Sequence, residues 1–209
     1  IILNSDNSTN NPVAEITLNK ATTTGYDLSL IEKRRTIRTP FKTISIKESD
    51  VNQIIAIDPL NIDFFSASSD KGKFITQKTI EAYTQQALNK EAQSELAKWI
   101  RFSDKDVKEK KDGLTTAGMQ IEGINGFYVR HFLNPEDSKK RSFIKGGIEK
   151  TKKQAFGCGG WIIISSNGNS VVDWINTGRL YQHIHLICTQ LKIGFQPMNQ
   201  ILEEEKFKK

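Results

Sequence analysis

The sequence predicts an α+β fold, and three observations carry that expectation. Two short runs have strand character, Ile62 to Ala67 and Trp161 to Ser165. Stretches with helical spacing of apolar residues lie between and after them, most clearly from Gly72 to Ile100 and from Val171 to about Lys192. The two kinds of element alternate without the regular spacing of βαβ units, which points to layers of helix and sheet rather than a parallel doubly wound sheet.

Taken in order, residues 1 to 24 are rich in Asn, Ser and Thr and lack periodicity, so they read as an arm or linker ahead of a domain over 25–209. Asn7-Ser8-Thr9 fits a glycosylation acceptor, a triplet common by chance. Asp27 is placed to cap a short helix through Leu28, Ile31 and Glu32 that ends near Arg35, and Pro40 stops any helix there. Ser49-Asp50 opens a second short helix with Val51, Ile54 and Ile55, closed by Pro59. The helical stretch from Gly72 contains Leu88, Ala92, Leu96 and Trp99 and no proline, with a break expected near Asn89. A charged segment and a Gly-rich stretch, Asp112-Gly113 through Gly126, come next. Asn134-Pro135-Glu136-Asp137 starts another helix toward Gln154, which Gly157, Gly159 and Gly160 end. Trp161-Ile162-Ile163-Ile164 is continuously apolar and therefore expected to be buried on both faces. The final long helix starts behind Asn167-Gly168-Asn169-Ser170, is apolar around most of its surface, and is expected to stop at Gly194.

The 209 residues suffice for one ordinary domain with or without an arm. With 37% apolar and 26% charged residues the composition is that of a globular chain, not a disordered one, and no run of about 18 apolar residues marks a membrane span. The net charge of +6 is concentrated: Arg101 to Lys153 holds 13 basic and 8 acidic residues. Such a patch attracts phosphates or nucleic acid, or is simply a solvated face. Two cysteines, Cys158 and Cys188, are too few for a disulfide framework and lack metal-ligand spacing, so no metal is expected. His183 and His185, two apart on a helix, point to different faces. No HExxH, Walker A, GxGxxG or nucleophile elbow is present, and no serine or cysteine stands in a triad context.

Two clusters carry chemistry. Arg34-Arg35-Thr36-Ile37-Arg38 sets three guanidiniums and a hydroxyl at a helix end. Guanidinium forks match phosphate oxygens, so the cluster suits a phosphomonoester; the same arginines would also complement a helix dipole. Gly178-Arg179 and the loop Gly194-Phe195-Gln196-Pro197-Met198-Asn199-Gln200 form the second, where a flat ligand or another helix is able to approach closely.

In this order the clusters resemble the nitroreductase family, specifically its divergent Acg-like branch. The resemblance begins at Ile31-Glu32-Lys33-Arg34-Arg35-Thr36-Ile37-Arg38-Thr39-Pro40-Phe41, which looks like the R-x-(S/T)-x-R opening motif with a trailing Pro-Phe. It continues at Leu96-Ala97-Lys98-Trp99 and Asp112-Gly113-Leu114-Thr115, and finishes at Trp174-Ile175-Asn176-Thr177-Gly178-Arg179 and Leu186 to Gln200, similar to the central helix and flavin-edge loop. It spans roughly residues 27 to 205.

The resemblance implies a nitroreductase-like fold, a mixed, mostly antiparallel sheet flanked by helices, with FMN at an interface between two such domains. By position it implies that Arg34, Arg35, Thr36 and Arg38 hold the FMN phosphate and ribityl chain. Pro197, Met198 and Asn199 would lie along the isoalloxazine edge, and Asp112, Gly113, Leu114 and Met119 would line the substrate pocket. The flavin carries the chemistry, hydride transfer from NAD(P)H to an aromatic or quinone-like acceptor, so no catalytic side chain is expected. The family continues past this loop with another strand, whereas this sequence ends at Lys206-Phe207-Lys208-Lys209. The implied partner is a second copy in a homodimer, or a second nitroreductase-like domain, completing the FMN site. A bacterial cytoplasmic location is expected, or a periplasmic one if a leader is removed. A non-catalytic protein that sequesters FMN is the alternative reading. A basic nucleic-acid-binding domain over Arg101–Lys153 ranks last, because Phe102, Phe127, Tyr128, Phe132 and Phe143 lack RRM or OB-type patterning.

Overall fold

A computed structural model describes residues 2–3, 14–20 and 27–204. The Asn7-Ser8-Thr9 triplet and the terminal Lys206–Lys209 run lie outside the described residues, as does most of the expected arm. In chain order the elements are β1 (Ile2–Leu3), β2 (Ala14–Glu15), α1 (Ser29–Lys33), α2 (Glu48–Ile55), β3 (Ile62–Ser66), α3 (Asp70–Leu88), α4 (Lys90–Trp99), β4 (Ile100–Arg101), α5 (Asp104–Lys110), β5 (Leu114–Thr115), α6 (Gly123–Phe132), a 3-10 helix (Pro135–Lys139), α7 (Arg141–Gly157), β6 (Gly160–Ile164), α8 (Val171–Gln190) and α9 (Gln200–Glu203).

This order corrects the expected fold class. Instead of a mixed, mostly antiparallel sheet flanked by helices, the described residues form three separate two-stranded sheets, β1–β2, β3–β6 and β4–β5, in a chain dominated by helix. The physical reason lies in how few segments have strand character. Only β3 and β6 are longer than two residues, and they pair with each other, so no further strand is left to widen the sheet. Nor is β6 buried on both faces as expected, since Ile163 keeps 40% of its surface exposed.

Local capping chemistry explains several helix starts. Asp27 accepts from the Ser29 backbone N–H at 2.9 Å, starting α1, which stops at Lys33 rather than Arg35. The break expected near Asn89 is there: its side chain accepts from the Glu91 and Ala92 N–H groups and starts α4. Asn134 and Asp137 form a capping box, but it opens the 3-10 helix, and α7 begins afresh at Arg141. A second capping box, Ser170 with Asp173, starts α8. The chain leaves α8 through Lys192 at φ 59°, two residues before the glycine expected to end it. The Gly-rich stretch after Asp112 hides two elements, β5 and the first turn of α6.

The chain divides into two units of interleaved segments. The first comprises Ile1–Thr36, Ser45–Phe65 and Gly160–Phe195. Its core is Ile54 of α2, Ile62 of β3 and Ile184 and Cys188 of α8, with Ile162, Leu180, Ile187 and Phe195 packed against them. Burial pushes the Cys188 thiol up to about 12, so this sulfur is a packed apolar group rather than a nucleophile. The second unit comprises Ile37–Ile44, Ser66–Gly159 and Gln196–Lys209. There α3 packs on α7, and Ile100, Phe102, Met119 and Val129 form a core closed by Leu96, Leu114 and Phe143. Among the described residues no helix is long and apolar enough to cross a membrane.

Candidate functional site

The arginine cluster is divided by the fold. Arg34, Arg35 and Thr36 belong to the first unit, and Arg38 to the second.

In the first unit the organising residue is His185, 1% exposed on α8. Its Nδ1 lies 3.1 Å from Arg34 Nη1, and its Nε2 lies 3.2 Å from the Arg35 carbonyl oxygen. A guanidinium only donates and a carbonyl only accepts, so the partners fix the tautomer: Nδ1 accepts and Nε2–H donates. The ring is therefore neutral. Tyr181 and Phe195 stand against it at 5.8 and 4.8 Å. Burial, assisted by the Arg34 charge, lowers its pKa, outweighing the hydrogen bond to Arg35. Arg34 is thus held by one N–H, and neither Arg34 nor Arg35 has a carboxylate partner among the described residues. Sequence reasoning missed this role for His185, although its place beside the apolar positions of α8 was the available signal.

A pH dependence follows. Below about 6.5 the unfolded chain protonates this histidine while the folded ring resists, so stability rises with pH across that window and levels off above it. Urea midpoints measured from pH 5 to 7.5 should slope upward in the native protein. They should flatten in His185→Gln, whose amide accepts and donates but does not titrate. An unchanged slope in that variant would contradict the assignment.

In the second unit the organising residue is Gln154 of α7, 2% exposed. Its Nε2 donates to the carbonyls of Ile37 (3.3 Å) and Thr39 (3.1 Å) and to Gln196 Oε1 (2.6 Å). It straddles Arg38 and ties that segment to the residue preceding Pro197. Two sequence clusters more than 150 residues apart therefore meet on one side chain. The Arg38 N–H donates to Gln120 Oε1. Gln120 has φ 53°, a left-handed conformation costing an L-residue roughly 1 kcal/mol. Beyond the clasp, Pro197 and Asn199 are exposed and Met198 is half-buried. Gln154 and Gln120 carry no motif, and nothing in the sequence marked them.

The expected substrate-pocket residues sit in the packing around β4 and β5. Arg101, 6% exposed, donates from Nε to Asp112 Oδ1 at 2.8 Å and from Nη1 to the Lys98 and Ile100 carbonyls. Gly113 has φ 72°, and a Cβ there would lie 2.2 Å from the Trp99 carbonyl oxygen, so glycine is required on two counts. Leu114 pairs with Ile100 in the parallel β4–β5 ladder, and Met119 is in the core. A cavity of about 400 Å³ opens in the same unit between α3 and α7, lined by Lys73, Thr76, Lys152 and Phe156 among others, and none of the expected site residues lines it.

Among the described residues no group of three or more His, Cys, Asp or Glu side chains could hold a metal ion. No protein-family model, curated protein or solved structure matches the chain.

Proposed function

We propose that the chain binds FMN in its second unit, as part of a flavin-dependent oxidoreductase of the nitroreductase type. The reading rests on residues rather than on the sheet, which the fold does not contain. The single observation that supports it is the Gln154 clasp, which gathers the Arg38 segment and the Gln196–Asn199 loop. Those are the two segments expected to contact opposite ends of one flavin nucleotide.

The residues present suit such a ligand. The Arg38 guanidinium has no ion-pair partner among the described residues and is available to a phosphate. The backbone from Ile37 to Thr39 is held at three points, so little backbone ordering cost is left for binding. The loop at 197–199 offers a proline ring, a thioether and an amide, a mixed apolar and polar edge of the kind a flat heteroaromatic takes. FMN, when bound, supplies the two-electron chemistry between NAD(P)H and an aromatic or quinone-like acceptor. A second copy or a second domain is the proposed partner in completing the site.

The test is equilibrium titration of the purified chain with FMN, followed by flavin fluorescence. Native protein is expected to bind FMN. Arg38→Ala should weaken it about tenfold to a hundredfold, the loss of a charge-assisted contact. Absence of FMN binding to the native chain, alone or as its dimer, overturns the proposal. Steady NAD(P)H consumption by the loaded protein marks a reductase; binding without turnover marks a sequestering protein.

A further inference from the structure

Helix α6 carries its larger apolar side chains on the outside. Val129 lies in the core with Ile100 and Phe102, and Gly126 is buried on the same side of the helix. Ile124, Phe127, Tyr128, His131 and Phe132, at i, i+3, i+4, i+7 and i+8, share the opposite face, and all five are exposed. Its four apolar members are between 53 and 89% exposed, which leaves roughly 500 Å² of apolar surface in one place, a patch in the size range that is often functional. The rings hold one another. Phe127 stacks on His131 with centroids 4.2 Å apart, Tyr128 on Phe132 at 5.4 Å, and Phe127 meets Phe132 edge-on at 6.4 Å. His131 is fixed further by its Nδ1–H, which donates to the Phe127 carbonyl at 2.8 Å. Little side-chain freedom is therefore left to lose on binding.

The surroundings are cationic. Leu133 and Phe143 pack against the same core as Val129, which keeps the start of α7 and the preceding Lys139, Lys140 and Arg141 at the C-terminal end of α6. Lys139 and Lys140 hold Glu136 and Asp137, whereas the exposed Arg141 has no ion-pair partner among the described residues. Residues 123–153 include eight basic and three acidic side chains. This charge selects the occupant. A second copy would bring like charges together, and the patch falls short of the about 800 Å² per partner that a stable dimer buries. Single-stranded nucleic acid needs open ring faces, but each ring already has one face closed by its neighbour, and Ile124, the most exposed member, has no face to stack on. An anionic bilayer suits both features: its acyl chains take the rings and the isoleucine, and its phosphates take the cations.

We infer that the outer face of α6 is a peripheral membrane-docking surface. Ile124, Phe127, Tyr128 and Phe132 enter the headgroup–acyl boundary of an anionic leaflet, while Lys139, Lys140 and Arg141 meet its phosphates. The helix lies along the bilayer, a role that does not call for a helix long enough to cross it. The inference uses no residue of the proposed flavin site and stands or falls separately from that reading.

The experiment is co-sedimentation of the purified chain with vesicles of phosphatidylcholine alone and of phosphatidylcholine with about a third phosphatidylglycerol. Native protein is expected to bind the second and not the first, and to bind less at high salt. Phe127→Ser/Phe132→Ser should weaken binding about a hundredfold, and Ile124→Glu, which disturbs no ring contact, about tenfold or more. Lys139→Gln/Arg141→Gln should weaken it about fivefold to thirtyfold. Urea midpoints verify that each variant is folded. In Ile124→Trp, quenching of the added tryptophan by brominated acyl chains is expected, since the side chain at this position passes the headgroups. Failure to bind anionic vesicles, equal binding to both vesicles, binding that survives Ile124→Glu, or absence of quenching overturns the proposal. A dimer seen by sedimentation velocity, or binding of oligothymidylate, that is lost in Ile124→Glu while vesicles are ignored also overturns it, and assigns the face to a second copy or to a single strand instead.

Discussion

Replacing Gln154 by leucine is expected to destabilise the second unit by about 2–4 kcal/mol, since two backbone carbonyls and the Gln196 amide lose their donor at roughly 1–3 kcal/mol each when buried. The sum is reduced because Thr39 is exposed and its carbonyl side is open to water. The change is close to neutral in volume, so the loss reports hydrogen bonding rather than a cavity. A second readout is local. Trypsin cuts after arginine, and the Arg38–Thr39 bond is strapped down by the clasp; cleavage there should accelerate in Gln154→Leu well beyond any general loosening. If the chain binds FMN as proposed, that binding should weaken together with the strap. A loss under about 0.5 kcal/mol, the ordinary scatter of a neutral surface change, with native cleavage rates would show that the clasp does not organise this segment.

The second large effect is expected at Asp112. Removing one partner of a buried ion pair costs about 3–5 kcal/mol because the other charge is left uncompensated. Arg101 is nearly buried, but the Asp112 side chain is 46% exposed, so water recovers part of the loss and about 2–4 kcal/mol is expected for Asp112→Ala. The double variant Arg101→Met/Asp112→Ala should be more stable than Asp112→Ala alone, since it removes the stranded guanidinium as well. This measurement separates two roles for one residue. A carboxylate that serves a substrate pocket changes acceptor kinetics with little effect on unfolding; one that neutralises Arg101 does the reverse.

Parts of the fold were legible because they depend on near neighbours. Asn89 capping α4, the Ser170–Asp173 box at α8 and the strand at Ile62–Ser66 are settled by residues within four positions, and the sequence displays those directly. The short elements from Ile100 to Phe132 were not legible. A two-residue parallel ladder such as β4–β5 has no periodicity of its own and exists because Ile100 and Leu114 share a core. The sheet failed for a related reason: Trp161–Ile164 advertises burial, but apolar content does not say how many strands will come alongside.

The candidate site divides in the same way. The amino-acid sequence by itself determined where the guanidiniums are concentrated, the charge of the middle segment and most helix starts. Those are properties of composition and of contacts a few residues apart. Only the tertiary structure decided that His185 holds Arg34, that Gln154 joins the segment around Arg38 to Gln196 and that Asp112 neutralises Arg101. Two of those three link residues more than 40 positions apart through hydrogen bonds, and the third needs the crossover through α5 that brings the chain from β4 back to the parallel strand β5. An uncharged glutamine or a buried histidine acquires such a role from what the fold sets against it, and one-dimensional spacing carries no record of that.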